Sequence, residues 1–156
     1  MPTAAGARRA ICPYCQCELH LDVGGGGPEV TNLITLAQSA YASGNFEESL
    51  NYANKALELD AHNPMVWLGK ALATANLSTL QHQRFTEMED LLRRGLQFAT
   101  DDQSAWAVRQ QAAAAISVFG PSFFEAARRA YVAFQGPGSL AVFVEQCVEV
   151  VQMLRL

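Results

Sequence analysis

The sequence predicts an all-α protein: a short array of antiparallel helical hairpins, about three repeats plus a C-terminal helix, behind a small irregular N-terminal segment. Three observations lead there. From Val30 to Leu156 apolar residues recur at helical spacing, without sustained strand alternation. Capping residues and breakers divide that stretch at short intervals, as expected of helices joined by tight connections. Residues 1–29 differ in kind, holding Cys12, Cys15 and Cys17, then the run Gly24 to Gly27, then Pro28. Such a glycine run holds neither helix nor strand without a high entropic cost, so a flexible boundary is expected there. The chain therefore divides into a Cys-rich and Gly-rich segment, 1–29, and a helical domain, 30–156.

The elements follow from local signals. Asn45 before Phe46-Glu47-Glu48 fits an N-cap with acids in the first turn. Asn63-Pro64 places a capping side chain before a proline suited to the first helical position. Thr100 with Gln103, and Ser122 with Glu125, have capping-box spacing. Gly120-Pro121 and Gly136-Pro137-Gly138 read as stops. These marks predict seven helices, near 30–43, 46–60, 64–78, 81–99, 101–119, 122–135 and 139–155, with loop and helix both open over 77–85.

Composition narrows the function. Of 156 residues half are apolar, enough for one continuous core. No apolar run reaches the roughly 18 residues of a membrane-spanning helix. Arg8 and Arg9 are followed by Cys12, Pro13 and Tyr14 rather than a hydrophobic signal core, so a cytoplasmic protein is expected. In a reducing compartment, cysteines clustered as three plus one favour metal or thiol chemistry over disulfides. A net charge of −4 and a pI near 5.3 give no footprint for nucleic acid. The charged fraction is 17%, against about 25% in typical soluble domains. Part of the surface is then expected to be covered by a partner or by a copy of the chain.

Val30–Asn63 carries a repeat pattern: Leu33, Leu36, Ala37, Ala40 and Tyr41, then Gly44 to Leu50, then Tyr52, Ala53, Ala56, Leu57, Leu59 and Asp60. Ala37 and Ala40 let two helices approach, and Gly44 permits a tight turn. Phe46, Leu50, Ala53 and Leu57 form one apolar stripe. This stretch resembles a tetratricopeptide repeat, whose unit spans about 34 residues. Ala61 departs from the family, which has proline there. A second unit resembles the first from Pro64, with Trp67, Lys70 and Ala71 in place. Its second helix, around Phe85, Met88, Leu91, Leu92 and Gly95, is displaced by an insertion near Ser78–Gln83. A third unit is expected with Trp106 echoing Trp67, a turn near Phe119, and Ala126, Ala127 and Ala130 on the returning helix.

The resemblance implies a non-enzymatic module that binds another protein in a groove lined by the first helix of each pair. Carried across, the groove positions are Thr31, Ile34, Gln38, Tyr41 and Ala42, then Met65, Leu68, Leu72, Ala75 and Asn76, then Ser104, Ala107, Gln111 and Ala114. Chaperone-binding members of the family grip a terminal carboxylate with cationic side chains. Ile34, Gln38 and Gly69 stand in the corresponding places here, so an apolar or amphipathic segment is the expected ligand. The alternative is that these residues pack against neighbouring helices.

Two other features compete for function. The final helix carries Leu140, Phe143, Val144, Val148 and Val151 over much of its circumference, more apolar surface than a terminal cap requires. A homo-oligomer interface or a docking face on a larger assembly is expected, with Cys147 a small core residue. At the other end, Cys12-Pro13-Tyr14-Cys15 resembles one knuckle of a zinc ribbon, continued by the strand-like Glu18 to Asp22. A ribbon needs a second Cys-x-x-Cys for tetrahedral closure, and none exists; Gln16 also replaces the knuckle's usual glycine. Cys12, Cys15, Cys17 and His20 are the candidate zinc ligands, and a zinc- or redox-responsive regulator is the third reading. Of the other histidines, His62 lies in an inter-helix turn and His82 in the insertion, neither with an obvious nucleophile or carboxylate beside it, and Gly24 to Gly27 lacks the lysine of a phosphate loop. No reaction is implied.

Overall fold

The computed structural model describes the backbone of residues 7–11, 18–22 and 27–153, with side chains over 27–152. A two-stranded antiparallel ribbon joins β1 (Ala7–Ile11) to β2 (Glu18–Asp22), with Arg9 opposite His20. The strand at Glu18–Asp22 was legible as an alternation; its partner was not. Six helices follow: α1 (Pro28–Ala42), α2 (Phe46–Leu59), α3 (Pro64–Asn76), α4 (Phe85–Phe98), α5 (Asp102–Ala133) and α6 (Ser139–Met153). None of them is long and apolar enough to cross a membrane.

The first four helices form two hairpins, and their ends are capped by side chains read in the sequence. Asn45 accepts a bond from the Glu48 N–H at 3.3 Å and donates to its carboxylate at 2.7 Å. Asn63 accepts from the Met65 N–H at 3.1 Å, with Pro64 opening α3. Between α1 and α2 the chain reverses through Gly44, whose φ of 79° lies where side-chain-bearing residues are strained. α1 begins at Pro28, two residues before the expected start, because proline suits a first helical position. α4 begins at Phe85 rather than 81. The insertion instead forms a loop, closed by Ser78 Oγ accepting the Arg84 N–H at 2.9 Å and by paired backbone bonds between Thr79 and His82.

The third hairpin does not form. Residues expected as two helices, 101–119 and 122–135, run as the single helix α5 of 32 residues, with Pro121 inside it. Three causes act together. Gly120 has no Cβ to clash with the proline ring, which removes much of the penalty on the residue before proline. Pro121 is exposed, so its missing N–H leaves the Ser117 carbonyl facing water, and Ser122 Oγ donates to the neighbouring Val118 carbonyl at 2.9 Å. Above all, Phe119 and Phe123 share a face only if the helix continues. Both meet Phe85, with ring centroids 5.6 and 5.0 Å away. The capping boxes expected here are also displaced. Asp101, not Thr100, caps α5 by accepting the Ser104 N–H at 2.7 Å, and Glu125 pairs with Arg128 and Arg129 instead of closing a box with Ser122.

One apolar cluster joins α3, α4, α5 and α6 through Leu68, Met88, Leu92, Val108, Phe123 and Val150. A smaller one joins Val30, Ala53, Ala56 and Val66 at the first hairpin. In α2 the stripe is centred on Ser49, Ala53 and Ala56, with Phe46, Leu50 and Leu57 half-buried beside it. α3 and α4 approach closely at Gly95, where a Cβ would stand 3.2 Å from both the Pro64 carbonyl oxygen and Trp67 Cβ. Thr74 is fully buried in α3, and its hydroxyl has no hydrogen-bond partner.

Candidate functional site, a neutral groove between two helices

The groove arises from unequal side chains on three helices. Ser49, Ala53 and Ala56 make a floor too small to fill the space between α1 and α3. Ile34, Gln38 and Tyr41 form one wall, and Met65, Leu68, Gly69 and Leu72 the other; Gln111 of α5 closes one end. The cavity holds about 210 Å³ and opens to solvent. No charged residue lines it. Its ligand chemistry is therefore apolar contact with two amide side chains available for hydrogen bonds.

One polar contact shapes the wall. Asn76 donates to the Tyr41 hydroxyl at 3.0 Å and to the Leu72 carbonyl at 2.9 Å. Tyr41 also meets Phe46 edge-on, with centroids 5.3 Å apart. The ring is thereby fixed between two helices instead of swinging across the opening. Gly69 is the other unusual feature. It lies inside α3, where glycine costs about 1 kcal/mol relative to alanine, yet nothing stands within 4 Å of where its Cβ would be. Unlike Gly95, it serves no close packing.

Of the expected groove residues, Ile34, Gln38, Tyr41, Met65, Leu68, Leu72 and Gln111 line this cavity. Leu68 is only 2% exposed and belongs to the core. Thr31 lies on the exposed side of α1, its carbonyl accepting from Thr35 at 2.9 Å. Asn76 acts behind the wall through Tyr41. Sequence reasoning missed the α2 floor, whose residues read as ordinary packing positions. It also used Gly69 only as a missing cation, although a mid-helix glycine was itself a signal.

The final helix divides by face. Phe143 points inward, stacked 5.0 Å from Tyr131 and 6.1 Å from Phe124. Gln146 is buried and donates to the Leu80 carbonyl at 2.8 Å. Leu140, Val144, Val148 and Val151 are exposed, so the apolar circumference is covered on one side only. Cys147 is half-buried and outside both core clusters, contrary to its expected place; burial pushes its thiol pKa up. His62, in the turn before α3, stands edge-on to Phe98 at 4.8 Å. Cys12, Cys15 and Cys17 lie outside the described residues, as does the His20 side chain. Among the described residues no three His, Cys, Asp or Glu side chains gather as a metal site.

Compared with protein-family models, curated proteins and solved structures, the chain finds no match.

Proposed function

We propose that this chain is a non-enzymatic interaction module that holds an apolar or amphipathic segment of another protein in the groove between α1 and α3. Gly69 carries the reading. A glycine inside a helix loses backbone entropy and packing, and here no neighbouring atom gains from its missing Cβ. What its absence does supply is bare backbone on a groove wall, where a ligand's chain can approach closely. The uncharged lining supports an apolar ligand, and the tetratricopeptide-like pattern of Val30–Asn63 supports a groove-binding role.

The test is Gly69→Leu. The added side chain enters open space, raises helix propensity and fills the groove. Affinity purification from native cells with wild-type and variant chains, read by mass spectrometry, identifies proteins captured only by the open groove. Direct titration with peptides from those proteins then gives their affinity. A folded Gly69→Leu chain that binds the same peptides equally well would refute the groove. Charged residues at Tyr41 and Leu72 are a harsher second test, since both are half-buried and helicity must be checked first.

A further inference from the structure

A second groove, distinct from the first, runs between α4 and α5. α5 packs more on α3 than on α4, and a cavity opens between α4 and α5. Leu92, Leu96, Val108, Ala112 and Ile116 form an apolar floor beneath a cavity of about 460 Å³. On the rim Arg93 is bonded to Glu89, while Arg109 is exposed and makes no ion pair among the described residues. Trp106 stands 62% exposed on the same side of α5, three residues before Arg109. Apolar floor, exposed arginine and exposed tryptophan are the composition of a surface that binds protein.

The same chain carries a helix face of matching character. Leu140, Val144, Val148 and Val151 lie along α6 at spacings of four, four and three, opposite the buried Gln146 and Val150. From Leu140 to Val151 the stripe is roughly 16 Å long, and the groove walls roughly 11–14 Å, at 1.5 Å per residue. Glu145 and Glu149 are the only charged residues of α6. The helix thus offers an apolar stripe with an acidic flank, and the groove offers an apolar floor with an arginine that has no ion pair among the described residues.

We propose that the α4–α5 groove receives helix α6 of a second copy of this chain. The charges select this occupant over a pairing of α6 with α6. That pairing would bring four carboxylates together with no cation from either helix to answer them. Docking into the groove places the acidic flank by Arg109. Because the two meeting surfaces differ, reciprocal exchange closes a dimer, and one-way docking extends a chain of subunits. Either raises the mass in solution.

Sedimentation velocity of the full chain over a concentration series is the test, with far-UV circular dichroism to confirm that each variant stays helical. Wild type is expected to associate as concentration rises. Arg109→Glu should move the midpoint to about tenfold higher concentration, and Glu145→Arg should weaken association similarly. The double variant, with the charges exchanged, should recover most of the loss. Val144→Glu should abolish association. A wild-type monomer at every concentration overturns the proposal. So does association that Val144→Glu removes but Arg109→Glu leaves untouched, which would mean α6 docks elsewhere, or a double variant with no recovery.

Discussion

Replacing Pro121 with alanine should stabilise the protein, and the size of the gain follows from its place in α5. Proline inside a helix is about 3 kcal/mol less favourable than alanine, through its missing N–H and its ring. Part of that cost is already relieved: Gly120 removes the Cβ clash, and water and the Ser122 hydroxyl serve carbonyls near the gap. Alanine would restore the bond to the Ser117 carbonyl and, because Pro121 is exposed, would lose little packing. It would also loosen the unfolded chain, at about 0.4–1 kcal/mol. The expected net gain is about 1–2 kcal/mol. At about 3–5 °C per kcal/mol for a helical domain of this size, Tm should rise by about 3–10 °C. Thermal unfolding followed at 222 nm measures it. Pro137→Ala, in the loop between α5 and α6, is the control and should give no gain. An unchanged or lower Tm for Pro121→Ala would mean that proline favours the native backbone, as in a turn, and would refute the continuous helix.

Three further outcomes are expected. Thr74→Val keeps the side chain's shape and removes a buried hydroxyl without a partner, so it should add about 1–2 kcal/mol in urea unfolding; a loss of stability would show that the hydroxyl is satisfied. Gly69→Ala should stabilise by about 0.5–1 kcal/mol, whereas at Gly95 the 3.2 Å contacts with Pro64 and Trp67 should cancel or reverse that gain; equal gains at both positions would contradict the close approach of α3 and α4. Arg128 and Arg129 hold Glu125 at about 2, below its ordinary 4.5. A depressed carboxylate contributes stability above its unfolded pKa and loses it as pH falls through the folded value. The α5 ion pairs should therefore persist at pH 4 and be lost towards pH 2. Carbon-detected NMR titration of the carboxyl should show this midpoint moving up in Arg128→Gln; a wild-type midpoint near 4.5 would refute the pairing.

Much of the fold was legible because its signals are local. Asn45, Asn63 and Pro64 mark helix starts by chemistry that acts within a single turn, and the small residues of α1 and α2 mark where two helices meet. The unity of α5 was not legible. Gly120-Pro121 is a stop by every local criterion, and what overrides it is Phe85, more than thirty residues earlier, meeting Phe119 and Phe123 at once. The walls of the first groove were expected on α1 and α3 from the resemblance to a tetratricopeptide repeat. Its floor could not be foreseen, since Ser49, Ala53 and Ala56 are buried like other core residues and differ only in leaving space unfilled. The second groove depends on how far α5 leans from α4, an angle set by packing across the domain and written in no short stretch of residues.

The two indoles occupy opposite environments, and this gives the protein a built-in optical readout. Trp67 is half-buried, its Nε1 donating to the Ala61 carbonyl at 2.8 Å, with Lys70, Arg94 and Phe98 around the ring. Trp106 is exposed on α5, three residues before Arg109 of the α4–α5 groove. Their fluorescence should separate into a shielded component and one that iodide quenches freely. Unfolding of the second hairpin would be followed in the first colour, and arrival of a helix at the groove in the second, without any label attached.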